Sequence, residues 1–461
     1  MKLWKNDSSM LIRMRTLRKK LGLQKVVPFD EMQHFTKPGV YQVGALQMTP
    51  EEKDYQLVVT SNEDTGIAQA LVRTEAKELT PEYVRHFDKR INRFRAFYNV
   101  NTGTRYRMEQ YLDGFALRVQ ENIAEDSTNI GVITDTHDKD VDAIDFYGEN
   151  GLQHVKEFNR LEQSGLLDVK THLGDWIDGS DAGFISAERL VALRDAFASA
   201  RTPYFNVKGN HDDNDKFDEH NDRFVSFADG EFESIMWPAM YRQPEIKYVT
   251  TKNGLGYYDK GDLRVIFINT SDVPYLVNEN GIKKYDGKLT LAVREDQIEE
   301  LIEVLSESSG KQILIMGHAN LINKKGNNVL KYNGRTLHEL LVAYNQRAKG
   351  HLHTSGVPEE FELHNGFDFS HIEDSRIFAY VCGHRHVEDQ YRINGIQYVL
   401  LNCSALMGKG YALTTNYNKR WDRKIDHPAD SAGYVLNVDL QRNILQVFGY
   451  GAASFRRVFR I

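Results

Sequence analysis

Seven side chains in this sequence have the type and the placing to bind metal: Asp135, His137, Asp175, Asn210, His318, His384 and His386. They fall in five short runs: Thr134-Asp135-Thr136-His137, Leu173-Gly174-Asp175-Trp176-Ile177-Asp178, Gly209-Asn210-His211-Asp212, Gly317-His318 and Gly383-His384-Arg385-His386. In four of the five, the first ligand follows a glycine. Mixed imidazole nitrogen and carboxylate oxygen suits Mn, Fe or Zn and argues against a pure calcium site. Seven ligands are too many for one tetrahedral ion. They suit two divalent ions that share a bridging carboxylate, roughly 3.5–4 Å apart, the spacing of two-metal hydrolases.

Each run closes an apolar stretch, at 129–133, 169–173, 204–207, 313–316 and 377–381. Stretches of that length read as buried strands. Open α/β sheets collect their chemistry at the C-terminal edges of the strands. Helices are expected at 152–163, 186–198, 295–305 and 337–347. Ile298, Leu301, Ile302 and Leu305 fall on one stripe of the third. Strands alternating with helices predict an α/β domain over 126–461. Its end, 433–438 and 444–448, reads as two antiparallel strands around Gln441-Arg442-Asn443. The segment 321–375, rich in Asn, Gly, Lys and His, reads as an excursion from the catalytic edge that selects substrate. His351-Leu352-His353 within it imitates a metal pair but reads as solvated loop.

The remainder has a different texture. Residues 1–27 form a basic arm, with Met10, Leu11, Met14, Leu17 and Leu21 at helical spacing. Residues 28–125 read as a small β-rich domain, with strand candidates at 40–43, 55–60 and 67–73, and then a helix-compatible run to about 124. The chain has 461 residues, 41% hydrophobic and 27% charged, which is ordinary for a protein with a full core. A net charge of -7 counts against a dedicated nucleic-acid binder. Two cysteines, Cys382 and Cys403, lie in or beside apolar runs and read as buried free thiols. No membrane span and no N-terminal secretion signal are expected.

Taken together, and in this order, the five motifs resemble those of the calcineurin-like metallophosphoesterases: Asp-x-His, Gly-Asp-x-x-Asp, Gly-Asn-His-Asp, a later Gly-His, and Gly-His-x-His. The resemblance covers about 129–461. It implies a four-layer αββα sandwich of two mixed sheets, here preceded by the small β-rich domain. It also implies that one ion takes Asp135, His137 and His386, that the second takes Asn210, His318 and His384, and that Asp175 bridges them. Manganese is the favoured metal. His211 would face the substrate phosphate and Asp178 would hold its imidazole. A metal-bridging hydroxide would attack the phosphorus. His211 would protonate the leaving oxygen or stabilise the charge developing on it. Two positions depart from the usual pattern: Asp138, where many members have Gly, and Asn320, where Pro is frequent.

The substrate is less constrained. Family habit favours a phosphodiester over a phosphomonoester. Phe35-Thr36-Lys37-Pro38-Gly39-Val40-Tyr41, residues 57–60, and then Tyr83, Phe87, Phe94, Phe97 and Tyr98 resemble the knob-like domains of phage and pyocin tail proteins. Phe448-Gly449-Tyr450-Gly451 with Arg456 resembles the end of bacterial and phage members of the phosphoesterase family. These resemblances imply a tail-associated homo-oligomer that acts on a cell-surface phosphodiester polymer such as teichoic acid. Two other readings stay open: a cytoplasmic phosphodiesterase of nucleotides or nucleic acid, and a virion structural or adhesion protein that mainly binds such a polymer.

Overall fold

A computed structural model describes residues 104–139, 150–198, 201–216, 226–279, 282–406, 423 and 428–461, together with six strands nearer the N-terminus. Those strands are β1 (Lys25–Val27), β2 (Gln33–Phe35), β3 (Tyr41–Val43), β4 (Leu46–Met48), β5 (Tyr55–Asn62) and β6 (Ile67–Thr74). They make two three-stranded sheets, ordered β1-β3-β4 and β2-β5-β6. All three strand candidates of the early region are therefore strands. The expected helix over 10–21, the aromatic series 83–98 and the Thr36–Val40 part of the tail-like motif lie outside the described residues. The chain divides into two compact units, 1–114 with 152–160, and 115–151 with 161–461.

The second unit carries the five motifs. Its strands are β7 (Thr128–Ile133), β8 (Val169–His172), β9 (Tyr204–Asn206), β10 (Ile246–Lys247), β11 (Gly256–Lys260), β12 (Leu263–Ile268), β13 (Gln312–Gly317), β14 (Lys349–His351), β15 (Gly366–Asp368), β16 (Arg376–Cys382), β17 (Asp389–Ile393), β18 (Ile396–Leu400), β19 (Ala432–Asp439), β20 (Ile444–Gly451) and β21 (Arg456–Arg460). One sheet has the order β21-β20-β19-β7-β8-β9 and the other β10-β11-β12-β13-β16-β18-β17. Both are mixed. β7, β8 and β9 run parallel, as do β12, β13, β16 and β18, while the outer strands are antiparallel. The antiparallel pair expected at the chain end is β19 and β20, in register from Ala432↔Gly451 to Asp439↔Ile444.

Alternation along the strands shows how the layers stack. In β12, Ile266 and Ile268 pack with Ile298, Leu301 and Leu305 of the helix Glu295–Ser306, and with Leu337, Leu340, Leu341 and Tyr344 of the helix Gly334–Asn345. Phe267 between them points the other way and stacks on Phe205 of β9, ring centroids 4.5 Å apart. In β9 the neighbours of Phe205 turn outward again: Tyr204 meets Phe197 of the helix Gly183–Ala198, and Asn206 donates to the Met236 carbonyl of the helix Glu231–Met240. The order is thus helices, sheet, sheet, helices, the four-layer αββα sandwich expected. Strands covered on both faces carry continuous apolar runs, which is why the motif strands show no polar alternation.

The segment 321–375 holds the helix expected near 337–347 and is packed along much of its length. It is the crossover between the parallel strands β13 and β16, and crossovers of this kind pack a helix on the sheet. Leu321, Leu330, Leu352, Leu363, Phe369 and Ile372 all join the buried cluster around that helix. Its polar composition belongs to the outer face of a packed layer. His351 and His353 are exposed on and just beyond the small β14-β15 hairpin, as the solvated reading has it. Cys382 and Cys403 are buried free thiols. No described helix is long and apolar enough to cross a membrane.

Candidate metal centre

All five motifs follow the C-terminal ends of parallel strands: β7 leads to Asp135, β8 to Asp175, β9 to Asn210, β13 to His318 and β16 to His384. The two sheets bring these ends together. The His318 Nδ1–H donates to the Leu173 carbonyl across the sandwich at 2.8 Å. The His384 main-chain N–H donates to Asp135 Oδ2 at 3.0 Å. The glycines before the ligands are packing requirements. A Cβ on Gly209 would collide with the backbone nitrogen of Asp175, and one on Gly383 with the Thr134 hydroxyl and the Asp135 carboxylate.

Asp135, His137, Asp175, His384 and His386 all have φ between +43° and +65°. Left-handed backbone is rare outside glycine, although Asp, Asn and His tolerate it best. Five of the seven candidate ligands therefore sit at sharp reversals that turn their side chains into one space.

That space holds two clusters. In the first, the His137 and His386 Nε2 atoms are 3.0 Å apart and His386 Nε2 is 3.2 Å from Asp135 Oδ1. In the second, the Asn210 side-chain oxygen is 3.0 Å from both His318 Nε2 and His384 Nδ1. Asp175 joins them, its Oδ2 lying 3.5 Å from His137 Nε2 and 3.3 Å from His318 Nε2. Ligand-capable atoms of Asp135, His137, Asp175 and His386 form one group, and those of Asp175, His318 and His384 another. The seven residues read from the sequence are thus brought together without exception.

The donor set fits a pair of divalent cations. An ion bonded at about 2.1 Å sets neighbouring ligand atoms roughly 3.0–3.4 Å apart, the separations found here. The Asn210 amide nitrogen donates to the Lys288 carbonyl, so the amide oxygen is the atom turned to the two imidazoles. His318 gives Nδ1–H to a carbonyl, which directs Nε2 inward. The electrostatics agree. Burial opposes charge on His318, but the Asp175 carboxylate, with Asp135 and the Leu173 carbonyl, raises its pKa to about 9. Burial, then His211, lowers His137 to about 3, and burial, then His318, lowers His384 to about 3. Burial would protonate Asp135, yet the neighbouring imidazoles, His386 foremost, hold it ionised. The cluster therefore keeps its carboxylates charged, keeps two imidazoles neutral, and draws positive charge to its middle.

His211 and Asp178 group with His137. The contact between them differs from the expected one. The His211 Nδ1–H donates to the main-chain carbonyl of Asp178 at 2.7 Å. The Asp178 carboxylate accepts instead from Lys216 at 2.9 and 3.0 Å, from Lys139 at 3.4 Å and from the Ser180 hydroxyl. Two cations within reach make that the better use of a buried anion. Burial works to raise the Asp178 pKa, but Lys216 first and then the imidazoles hold it low.

The sequence gives no role to Asp212, yet it organises the centre. Its carboxylate accepts four main-chain N–H bonds: Asp175 at 3.0 Å, Trp176 at 2.8 Å, Ile177 at 3.3 Å and Gly209 at 2.7 Å. It thereby locks the turn bearing Asp175 to the turn bearing Asn210. Asp212→Asn turns an amide NH₂ toward two of those donors. Leaving them unsatisfied should cost about 2–4 kcal/mol. Urea denaturation of the chelator-treated protein should show a lower midpoint with an unchanged slope. An unaltered midpoint would show that the turns are held by other means.

The two departures from the usual pattern also find their reasons. Asp138 is buried and ion-paired with Arg189 of the helix Gly183–Ala198, so it secures that helix. The Asn320 amide donates to the Ile322 carbonyl and the Tyr391 hydroxyl, both at 3.0 Å, and fixes the turn after His318.

The calcineurin-like phosphoesterase family model matches residues 128–388, which contain every residue of the centre. No curated protein sequence matches the chain. Among solved structures, a dimetal phosphatase from Danio rerio is similar at 12% identity, over 72% of this chain and 98% of that one, with a TM-score of 0.47. A purple acid phosphatase from yellow lupin (Lupinus luteus) seeds is similar at 12% identity, over 72% and 53% of the two chains, with a TM-score of 0.39.

Proposed function

The chain belongs to the calcineurin-like phosphoesterases, and on that basis we propose that it is a phosphodiesterase whose centre takes two divalent ions, manganese by preference. The observation that carries this reading is Asp175, whose one carboxylate oxygen lies within 3.5 Å of an imidazole from each cluster. In the proposed assignment Asp135, His137 and His386 would hold one ion, Asn210, His318 and His384 would hold the other, and Asp175 would serve both. Ions held there supply Lewis acidity, neutralise phosphate oxygens and acidify water. The chain's own residues do the rest. Buried Asp135 and Asp175 fix the charge of the centre. The Asp212 clamp fixes the separation of its halves. His211, with Nδ1–H given to a carbonyl, presents Nε2 to the leaving oxygen as a proton donor.

For the substrate we propose a cell-surface phosphodiester polymer such as teichoic acid, in a tail-associated homo-oligomer. Support for that part is the resemblance of residues 35–98 and 448–456 to tail-associated proteins. The test is release of glycerol phosphate from purified glycerol-phosphate teichoic acid, with manganese and after chelation. Release only with metal is expected. Hydrolysis of a small diester without any release from the polymer would keep the chemistry and redirect the substrate to nucleotides or nucleic acid.

A further inference from the structure

Asp178 is a junction between two things the family motif does not connect. Its main-chain carbonyl holds the His211 imidazole, and its carboxylate gathers two ammonium groups. Lys216 Nζ reaches both carboxylate oxygens, and Lys139 Nζ reaches one of them and the Ser180 hydroxyl at 2.8 Å. The carboxylate is sealed, with 4% of its side-chain surface exposed, whereas Lys139 keeps 13% and Lys216 keeps 26%. Both lysine side chains are therefore more exposed than the anion that gathers them. Among the described residues Asp178 is the one carboxylate paired with either ammonium, and one carboxylate balances one ammonium, so the pair can accept a further anion. Neither lysine belongs to the motifs that define the metal centre.

Position says which anion. On the reading above, on which this inference rests, His211 addresses the leaving oxygen. His211 rests on the carbonyl of the same residue whose carboxylate holds both lysines, so the lysines lie within one residue's span of the group that addresses the leaving oxygen. Lysine binds phosphate as a compact point charge that tolerates varied geometry. We propose that Lys139 and Lys216 form a subsite for a second phosphate on the leaving group. The favoured substrates are then those with phosphates in series, as the next repeat of a phosphodiester polymer or as a small bisphosphorylated molecule.

The test uses two aryl methyl phosphodiesters with manganese-loaded protein. Their leaving groups are 4-ethylphenol and 4-(phosphonomethyl)phenol, matched except for the second anion. The ratio of their kcat/KM values is read within each protein, so any general loss of rate cancels. Wild type should prefer the phosphonate ester about tenfold or more, the scale of one charge-assisted contact. Lys216→Met and Lys139→Met should bring the ratio near one, and Lys216→Arg should keep most of it. A ratio near one in wild type, or one unchanged in both Met variants, overturns the subsite and leaves the phosphoesterase reading standing. If neither ester is hydrolysed, that reading fails instead. Calorimetric titration with the two free phenols then still decides the subsite. Tighter binding of the phosphonate that is lost in Lys216→Met supports it, and equal binding overturns it. Glycerol-phosphate oligomers of two and six units separate the sources: preference that rises with length indicates a polymer, and preference already complete at two units indicates a small bisphosphate.

Discussion

Asp175→Ala should abolish turnover, by about a thousandfold or more in kcat, and should lower metal content at the same time. The two losses have one cause. Asp175 Oδ2 is the atom that lies near an imidazole of each cluster. Asp175 Oδ1 accepts the His211 main-chain N–H at 2.9 Å, so the same side chain also aligns the turn that carries the proton donor. Without it, Asp135 is the one carboxylate left among the seven candidate ligands, and the ligand charge that draws cations is halved. Elemental analysis of dialysed protein should fall from two ions per chain to one or fewer. Normal metal content with normal turnover would sink the assignment of Asp175 as the shared ligand. Normal metal content with lost turnover would restrict its role to alignment.

His211→Ala should give the opposite pattern, with metal retained and kcat down by about 10²–10⁴. Among the described residues its side chain hydrogen-bonds to the Asp178 carbonyl and lies edge-on to His137 with ring centroids 4.6 Å apart. Neither contact is needed to hold the seven ligands. The informative measurement is the deficit as a function of leaving group. A nitrophenolate leaves without a proton, whereas an alkoxide needs one. The loss should therefore be small for a nitrophenyl ester and large for an alkyl ester. An equal deficit for both would mean that His211 stabilises the phosphoryl oxygens and donates no proton.

Much of this centre was legible in the sequence because its ligands are local punctuation. Each ends an apolar run, four follow a glycine, and strand ends of parallel sheets gather on one edge. The chain order of Asp135, Asp175, Asn210, His318 and His384 therefore sufficed to place all five turns together. What escaped depends on contacts between turns. Asp212 looks like the last letter of Gly-Asn-His-Asp, and nothing local shows that it accepts N–H bonds from residues 175–177. The pairing of Asp178 with His211 that the resemblance implies had the right partners but the wrong atom, since a motif names residues and cannot separate a carboxylate from the carbonyl of the same residue. Lys139 and Lys216 stand two and five residues beyond motif histidines. That spacing was a usable signal, masked by the frequency of surface lysines. In the segment 321–375 the helix was legible from its apolar spacing, but the packing of the residues around it was not, because composition averages over buried and exposed faces.

The left-handed turns at Asp135, His137, Asp175, His384 and His386 bear on how this protein would change over generations. Each such conformation costs a non-glycine residue on the order of 1 kcal/mol. Five together amount to a sizeable fraction of the stability of an ordinary domain. A lineage released from the need for catalysis could relax the three histidine turns one at a time to glycine or asparagine and become sturdier at each step, because these shapes suit those residues. Folding alone therefore pulls the sequence away from its ligands. Their joint presence at five awkward backbone positions is what continued use would maintain, and neutral drift would erase it early.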